Sequence, residues 1–326
     1  MLYVSDSPHI HSADSTHLMM WHVFVAMLPM FVVSILFFGL SALIITLTSV
    51  VCCCLFQWVI ERFVFHRPSM VGDGSAVVTG MLLAFNVPAT PSMYWIIIIG
   101  ALVSMGIGKM AFGGLGHNPF NPALVGRVFM LISFPVQMTT WPVAKQWISG
   151  QVDAMTGPTP LGLIKETIAN GGTIADVSSQ LPSWGSYVLG SMGGSLGEVS
   201  ALAIIAGGVY LLCCKVITWR IPVSFIGAAF LLSGLLWLVD ADMYLDPLHT
   251  LLSGGLLLGA FFMATDMVTS PMSHSGQLVF GIGCGLLTVV IRTWGAYPEG
   301  VSFAILLMNA VTPLINKGFR PKRFSA

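Results

Sequence analysis

Charge is what this chain has least of. Its 13 lysines and arginines balance 13 aspartates and glutamates, together 8% of 326 residues, where a soluble domain carries roughly a quarter. That scarcity excludes a soluble globule. It also excludes a nucleic-acid surface, because the few basic residues are scattered and form no patch. Paired cysteine spacing is lacking too: Cys52, Cys53, Cys54, Cys213, Cys214 and Cys284 sit in or beside apolar runs, which fits packing and points to no metal site. The first residues have neither a basic n-region nor a small-residue cleavage site, so the first apolar run is expected to be a permanent span and not a signal peptide.

What the chain has is hydrocarbon. Apolar residues make up 56% of it and the mean hydropathy is +0.87, which describes an integral membrane protein in contact with lipid. Runs long enough to span the bilayer occur near 20–38, 42–60, 76–90, 94–112 and 120–137, and again near 198–214, 221–239, 248–266, 277–293 and 300–316. The expected fold is an all-α polytopic membrane protein with about ten transmembrane helices. The third run is short and ends at Asn86, Pro88 and Pro91, and the fifth opens on Asn118-Pro119-Phe120-Asn121-Pro122. Interruptions of this kind are tolerated only where protein or a cavity covers the freed backbone groups.

The organisation that follows is an N-terminal surface segment (1–19), a first transmembrane half (20–137), a polar extramembrane interval (138–196), a second transmembrane half (197–316) and a basic tail (317–326). If the tail is cytoplasmic, nine of the thirteen basic residues fall on that face and the polar interval falls on the outer one. The halves echo one another weakly, as in Thr79-Gly80-Met81-Leu82-Leu83 against Ser253-Gly254-Gly255-Leu256-Leu257. Five spans is an odd number, so such a 5+5 repeat would be inverted.

Ionisable and amide side chains within the runs are the candidates for chemistry, because each is costly there. Asp266, at the end of the eighth run, is the first choice for an ion pathway, with Asp73 and Glu61 next; a turn residue ahead of Thr269-Ser270-Pro271 is the plainer reading of Asp266. Glu198 opens the sixth run, where the helix dipole accounts for a carboxylate. His117, Asn118 and Asn121, with Gly113, Gly114 and Gly116 and followed by Arg127, form an entry whose glycines admit a close approach and whose amides match the edge of a flat ligand; a helix break satisfied by its own amides explains them equally. In the polar interval, Asp153-Ala154-Met155-Thr156-Gly157-Pro158-Thr159-Pro160-Leu161-Gly162 reads locally as a rigid surface turn with outward side chains.

Four stretches in order carry a resemblance: Ser7-Pro8-His9-Ile10-His11-Ser12, Gly113 through Arg127, Asp153 through Leu161, and Phe262-Met263-Ala264-Thr265-Asp266. Together they resemble the RnfD family of the Rnf electron-transport complex, which is related to the NqrB family of the sodium-pumping NADH:quinone oxidoreductase, and the likeness covers essentially the whole chain. The resemblance implies an FMN joined through its phosphate to a threonine by a flavin transferase working outside the cytoplasmic membrane. The family pattern of aspartate, two residues, serine or threonine, glycine, alanine and threonine falls on Asp153, Thr156, Gly157 and the acceptor Thr159, with Pro158 where alanine is usual. It further implies a place in a six-subunit bacterial or archaeal inner-membrane assembly that moves electrons between ferredoxin and NAD, coupled to sodium or proton transfer. A second, non-covalent riboflavin would be sought at the Gly113-to-Asn121 entry. The competing function, from the inverted repeat and broken helices alone, is a secondary transporter or channel for a small solute.

Overall fold

The computed structural model describes residues 15–142, 156–157, 159–177, 181–190, 192–198 and 200–320. Helices dominate. The first half runs α1 (Thr16–Phe38), α2 (Leu40–Val59), α3 (Ser75–Phe85), α4 (Met93–Val103) and α5 (Pro122–Ser133). The interval holds α6 (Pro135–Met138), the two-residue strands β1 (Trp141–Pro142) and β2 (Thr156–Gly157), then α7 (Pro160–Ala169), α8 (Ile174–Val177) and α9 (Trp184–Leu189). The second half runs α10 (Ala201–Cys213), α11 (Arg220–Val239), α12 (Pro247–Leu252), α13 (Leu256–Leu258), α14 (His274–Trp294) and α15 (Val301–Gly318).

Helix starts follow local chemistry. Asn121-Pro122, Thr159-Pro160 and Asp246-Pro247 each place a polar N-cap before a proline whose missing N–H costs nothing at the first helical position, and the three caps accept from Ala123, Gly162 and His249 N–H respectively. Leucines and valines such as Val32, Leu36, Leu47 and Val51 stay exposed on the outer faces, where lipid is their solvent.

Six helices among the described residues are long and apolar enough to cross a membrane: Thr16–Phe38, Leu40–Val64, Met93–Phe112, Arg220–Val239, His274–Trp294 and Val301–Gly318. The other four expected spans are shorter or broken. The run at 120–137 yields the 12 residues of α5, about 18 Å at 1.5 Å per residue, and the run at 248–266 divides into α12, α13 and a π-helical segment, Gly259–Met263. Two further π-helical segments extend α2 (Ile60–Val64) and α4 (Ser104–Lys109).

The repeat is visible in the packing. α2 lies against α4 and α4 against α5, as α11 lies against α14 and α14 against α15, while α1 meets α10 and α5 meets α15 across the division. Corresponding elements run in opposite directions. His22 of α1 bonds Tyr210 of α10, and Ala26, one turn later, lies against Gly207, earlier in α10. Arg127 of α5 bonds Ser302 at the start of α15, whereas Leu131 and Met138, further along the chain, share a pocket with Glu299, which precedes Ser302. These antiparallel pairs are the arrangement that an inverted repeat predicts.

The break after α3 shows how exposed backbone is covered. The carbonyls of Phe85 and Val87 accept from Gly197 N–H (2.9 Å) and Leu196 N–H (3.2 Å), so the segment where the polar interval meets the second half restores the ladder that Pro88 ends. Only glycine fits at 197, because a Cβ there would lie 2.4 Å from Phe85 Cβ.

Candidate functional site

Charges are rare in this bundle, so the partners they find mark where chemistry is possible. They gather at two ends.

At one end, Lys109 is 1% exposed and its Nζ donates to Gln57 Oε1 (2.9 Å) and Ser75 Oγ (2.5 Å). Ser75 in turn donates to Asp73 Oδ1, and Gln57 Nε2 donates to Glu61 Oε1 at 3.2 Å. Glu61 Oε2 also accepts from Ser69 Oγ and Met70 N–H. The result is a continuous relay, Asp73–Ser75–Lys109–Gln57–Glu61, buried between α2, α3 and the π-helical end of α4. Ser75 and Lys109 open onto a cavity of about 60 Å³ that Asn118, Asn121 and Asp266 also line. The structure thus brings Asp266 to the Asn118–Asn121 entry, two features that the sequence offered separately.

Their partners are specific. Asn121 caps α5 and its Nδ2 donates to Met263 O at 3.2 Å; Asn118 Nδ2 donates to Phe120 O at 3.0 Å, while its buried Oδ1 accepts nothing among the described residues. The loop before them needs glycine, with φ of 112°, 109° and 91° at Gly113, Gly114 and Gly116. Asp266 Oδ2 accepts from Thr269 Oγ1 at 3.0 Å. It is a turn residue and a cavity residue at once. Each π-helical segment carries or adjoins one of these charges, Glu61, Lys109 or Asp266, as befits helices whose register shift frees backbone beside a site.

At the opposite end, Thr159 is the N-cap of α7 and its Oγ1 accepts from Gly162 N–H at 3.1 Å. Its hydroxyl hydrogen is not used in that bond. The outward-facing turn expected from the sequence is corrected here: Gly157 pairs with Trp141 in an antiparallel ladder, Thr156 pairs with Pro142, and Thr159 is half-buried at a helix start. Asp153 and Pro158 lie outside the described residues. Thr159 borders a pocket of about 150 Å³ lined also by Arg127, Trp141, Gly162, Tyr297 and Glu299.

Arg127 is the centre of that end. Its NH1 donates to Asn86 Oδ1 (2.8 Å) and Ser302 Oγ (2.6 Å), its NH2 contacts Glu299, and Glu198 Oε1 lies 3.9 Å from NH2. Glu198 does not serve a helix dipole as the sequence implied, since it precedes the α10 cap, Ser200; it is a buried neighbour of a guanidinium. Arg292 spends its hydrogens on carbonyls, Nε on Glu299 O, NH1 on Thr250 O and NH2 on Ser253 O. Lys165 of α7 donates to Arg292 O and Gly295 O, and its partial burial pushes its ammonium pKa down. Sequence reasoning passed over Arg127 and Arg292 as partners, although two guanidiniums inside apolar runs require nearby acceptors. No group of three or more His, Cys, Asp or Glu able to hold a metal occurs among the described residues.

Comparison with known proteins is consistent over the whole length. A family model described as the NQR2, RnfD, RnfE family matches residues 3–325. The chain is similar to a subunit of the proton-translocating ferredoxin:NAD(+) oxidoreductase complex of Clostridium ljungdahlii, at 40% identity over 98% of this chain and 95% of that one. It is 41% identical to a subunit of the Na(+)-translocating ferredoxin:NAD(+) oxidoreductase complex of Acetobacterium woodii, over 97% and 93%. A third relative, from the ion-translocating oxidoreductase complex of Stutzerimonas stutzeri, is 40% identical over 95% and 92%.

Proposed function

The chain belongs to the NQR2, RnfD, RnfE family, and from that membership we propose that it is the membrane subunit of a redox-driven, ion-translocating ferredoxin:NAD(+) oxidoreductase, carrying FMN on Thr159. Relatives at 40% identity bear this activity in their names, which favours it over the solute transporter that an inverted repeat alone would allow. Two equally similar relatives are named for different ions, so likeness does not select sodium or proton.

The observation that carries the flavin reading is the state of Thr159. Its oxygen is fixed by Gly162 N–H while its hydrogen meets no acceptor among the described residues, so it can become an ester oxygen without losing the cap. A phosphate there would meet the positive end of α7, whose ten residues follow it, with the Arg127 guanidinium and the rings of Trp141 and Tyr297 lining the same pocket. Bound FMN would supply electron transfer; the chain's own residues hold its phosphate and exclude water. The motif of Asp153, Thr156 and Gly157 would be read by the transferase on the outer face, in a six-subunit complex. A non-covalent riboflavin belongs to the same reading: Asn118 Oδ1 offers it an unpaired acceptor, and the 60 Å³ cavity must open to admit a ring.

The test is in-gel fluorescence of the denatured protein after co-expression with its transferase. The wild-type band is expected to glow yellow-green under ultraviolet light and Thr159→Asn to be dark. A dark wild-type band sinks the flavin reading, and a fluorescent variant sinks Thr159.

A further inference from the structure

The side of α7 away from Thr159 closes over a larger cavity. Thr159, Gly162 and Glu166 line the 150 Å³ pocket. Leu161, Ile164, Lys165 and Ile168, at the spacings of a single helix face, line instead a cavity of about 230 Å³ between α7, α11 and α14.

That lining joins apolar walls to positive charge. Ile164, Leu236, Leu245 and Val289 contribute hydrocarbon, Lys165 and Arg292 contribute cations, and no acidic side chain lines the cavity. The two cationic residues are neighbours, since Lys165 Nζ donates to Arg292 O at 3.4 Å, and neither forms an ion pair among the described residues. Lys165 gives a second hydrogen to Gly295 O. An ammonium has three, so one is left without an acceptor among the described residues. Arg292 spends its hydrogens on carbonyls, which satisfies its bonds and leaves its charge. Adjacent cations in a half-buried wall favour an anion there.

The cavity lies where headgroups begin. Trp294 and Met243 line it and are exposed, Tyr244 lines it beside them, and Trp237 is exposed near the end of α11. Tryptophan and tyrosine gather at that level of a bilayer, and an apolar helix face carrying a lysine is what an interfacial helix presents to lipid. Leu235, Leu238 and Val239 continue the exposed apolar surface along α11. An anionic group held beside so much hydrocarbon describes a phospholipid.

The loop after α11 selects the headgroup. It gives Met243, Tyr244 and Leu245 to the lining and carries Asp240, Asp242 and Asp246 with no lysine or arginine. Asp240 accepts from the N–H groups of Asp242 and Met243, and Asp246 pairs with His249. The exposed Asp242 is left for a cation. A purely anionic head would meet these aspartates unfavourably, whereas a phosphate followed by an ammonium suits both sides.

We infer that the cavity holds one zwitterionic phospholipid of the phosphatidylethanolamine class. Its phosphate lies on Lys165, its ammonium faces the aspartates of the 240–246 loop, and an acyl chain follows the wall of Leu236 and Val289. Such a lipid pins α7, the helix that Thr159 caps, to the end of the bundle.

The experiment is photolabelling of the intact complex with a phosphatidylethanolamine carrying a diazirine in its acyl chain, read by peptide mass spectrometry. Label is expected on peptides around Leu236 and Val289, and to fall about tenfold under excess unlabelled phosphatidylethanolamine but not under phosphatidylglycerol. Lys165→Gln is expected to lower it about tenfold and Lys165→Arg to keep it. Ser233 lines the cavity and bonds only within its own helix, so Ser233→Leu fills the space, leaves both cations and is expected to lower the label again. Label at Leu47 and Val51, on the exposed face of α2, is the internal reference and should not move. Equal label on α2 and α11, or a Lys165→Gln variant that labels as wild type does, overturns the site. Equal competition by phosphatidylglycerol overturns the ammonium contact. A fall at α2 as well marks Lys165→Gln as misfolded, and Ser233→Leu then decides the site.

Discussion

Arg127 of α5 donates to Ser302 of α15 at 2.6 Å, joining a helix of the first half to the last helix of the second. The same guanidinium bonds Asn86 at the break after α3 and contacts Glu299, so one side chain ties the helix break, the half-to-half interface and the Thr159 pocket together.

Removing that side chain while leaving its acids in place should be severe. Arg127→Met strands Glu299 and Glu198 without a counter-charge, and breaking a buried pair from one side costs about 3–5 kcal/mol. Thermal unfolding in detergent is expected to show that loss, and Arg127→Met combined with Glu299→Gln to recover part of it. A single variant as stable as wild type would mean that the cluster is solvated.

Thr159 has two separable duties, cap and acceptor. Thr159→Val removes both, and loss of an N-cap costs about 1 kcal/mol; Thr159→Asn keeps a strong cap without the hydroxyl. The valine variant is expected to unfold at lower temperature than the asparagine variant, with both dark on the gel. Equal stability would show that the Gly162 bond contributes nothing.

Asp266 faces the cavity that Lys109 closes. Asp266→Asn keeps an acceptor for Thr269 but removes the charge. Cation uptake by vesicles holding the complex is expected to fall by about tenfold or more, equivalent to roughly 1.4 kcal/mol, with flavin content unchanged. Parallel losses of both would assign Asp266 to folding.

How much of this was legible in the sequence depended on distance along the chain. The caps at Asn121, Thr159 and Asp246 are local, two-residue signals with the following proline, and the left-handed glycines before Asn118 are equally local. The apolar runs gave the six long spans but not the four short or broken ones, and the faint repeat suggested an inversion with which the antiparallel pairs agree. What the sequence could not reveal was pairing between distant segments: Glu198 was read as serving a helix dipole because its true neighbour, Arg127, belongs to the other half. The relay from Asp73 to Glu61 was hidden for the same reason, since Gln57 and Ser75 are unremarkable until Lys109 lies between them. π-Helical segments carry no pattern that a period of 3.6 detects.

The cover over the α3 break makes the last prediction. Gly197 donates to Phe85 O and packs where a methyl group would lie 2.4 Å from Phe85 Cβ. Phe85 is fully buried, so it cannot swing aside, and the segment must lift. Lifting it breaks the bonds from Gly197 and Leu196 together, leaves two carbonyls unpaired in an apolar interior, and moves Glu198 off Arg127. Overpacking of this kind costs about 1–3 kcal/mol before the unpaired groups are counted. Gly194→Ala, three residues away with nothing within 4 Å of the added carbon, is the matched control. Gly197→Ala is expected to lower the unfolding temperature well below that control and to reduce flavin attachment at Thr159, because Met192, Gly193 and Glu198 of the lifted segment line a small cavity that Thr159 also lines. Equal behaviour of the two variants would show that the break is covered by something other than this segment.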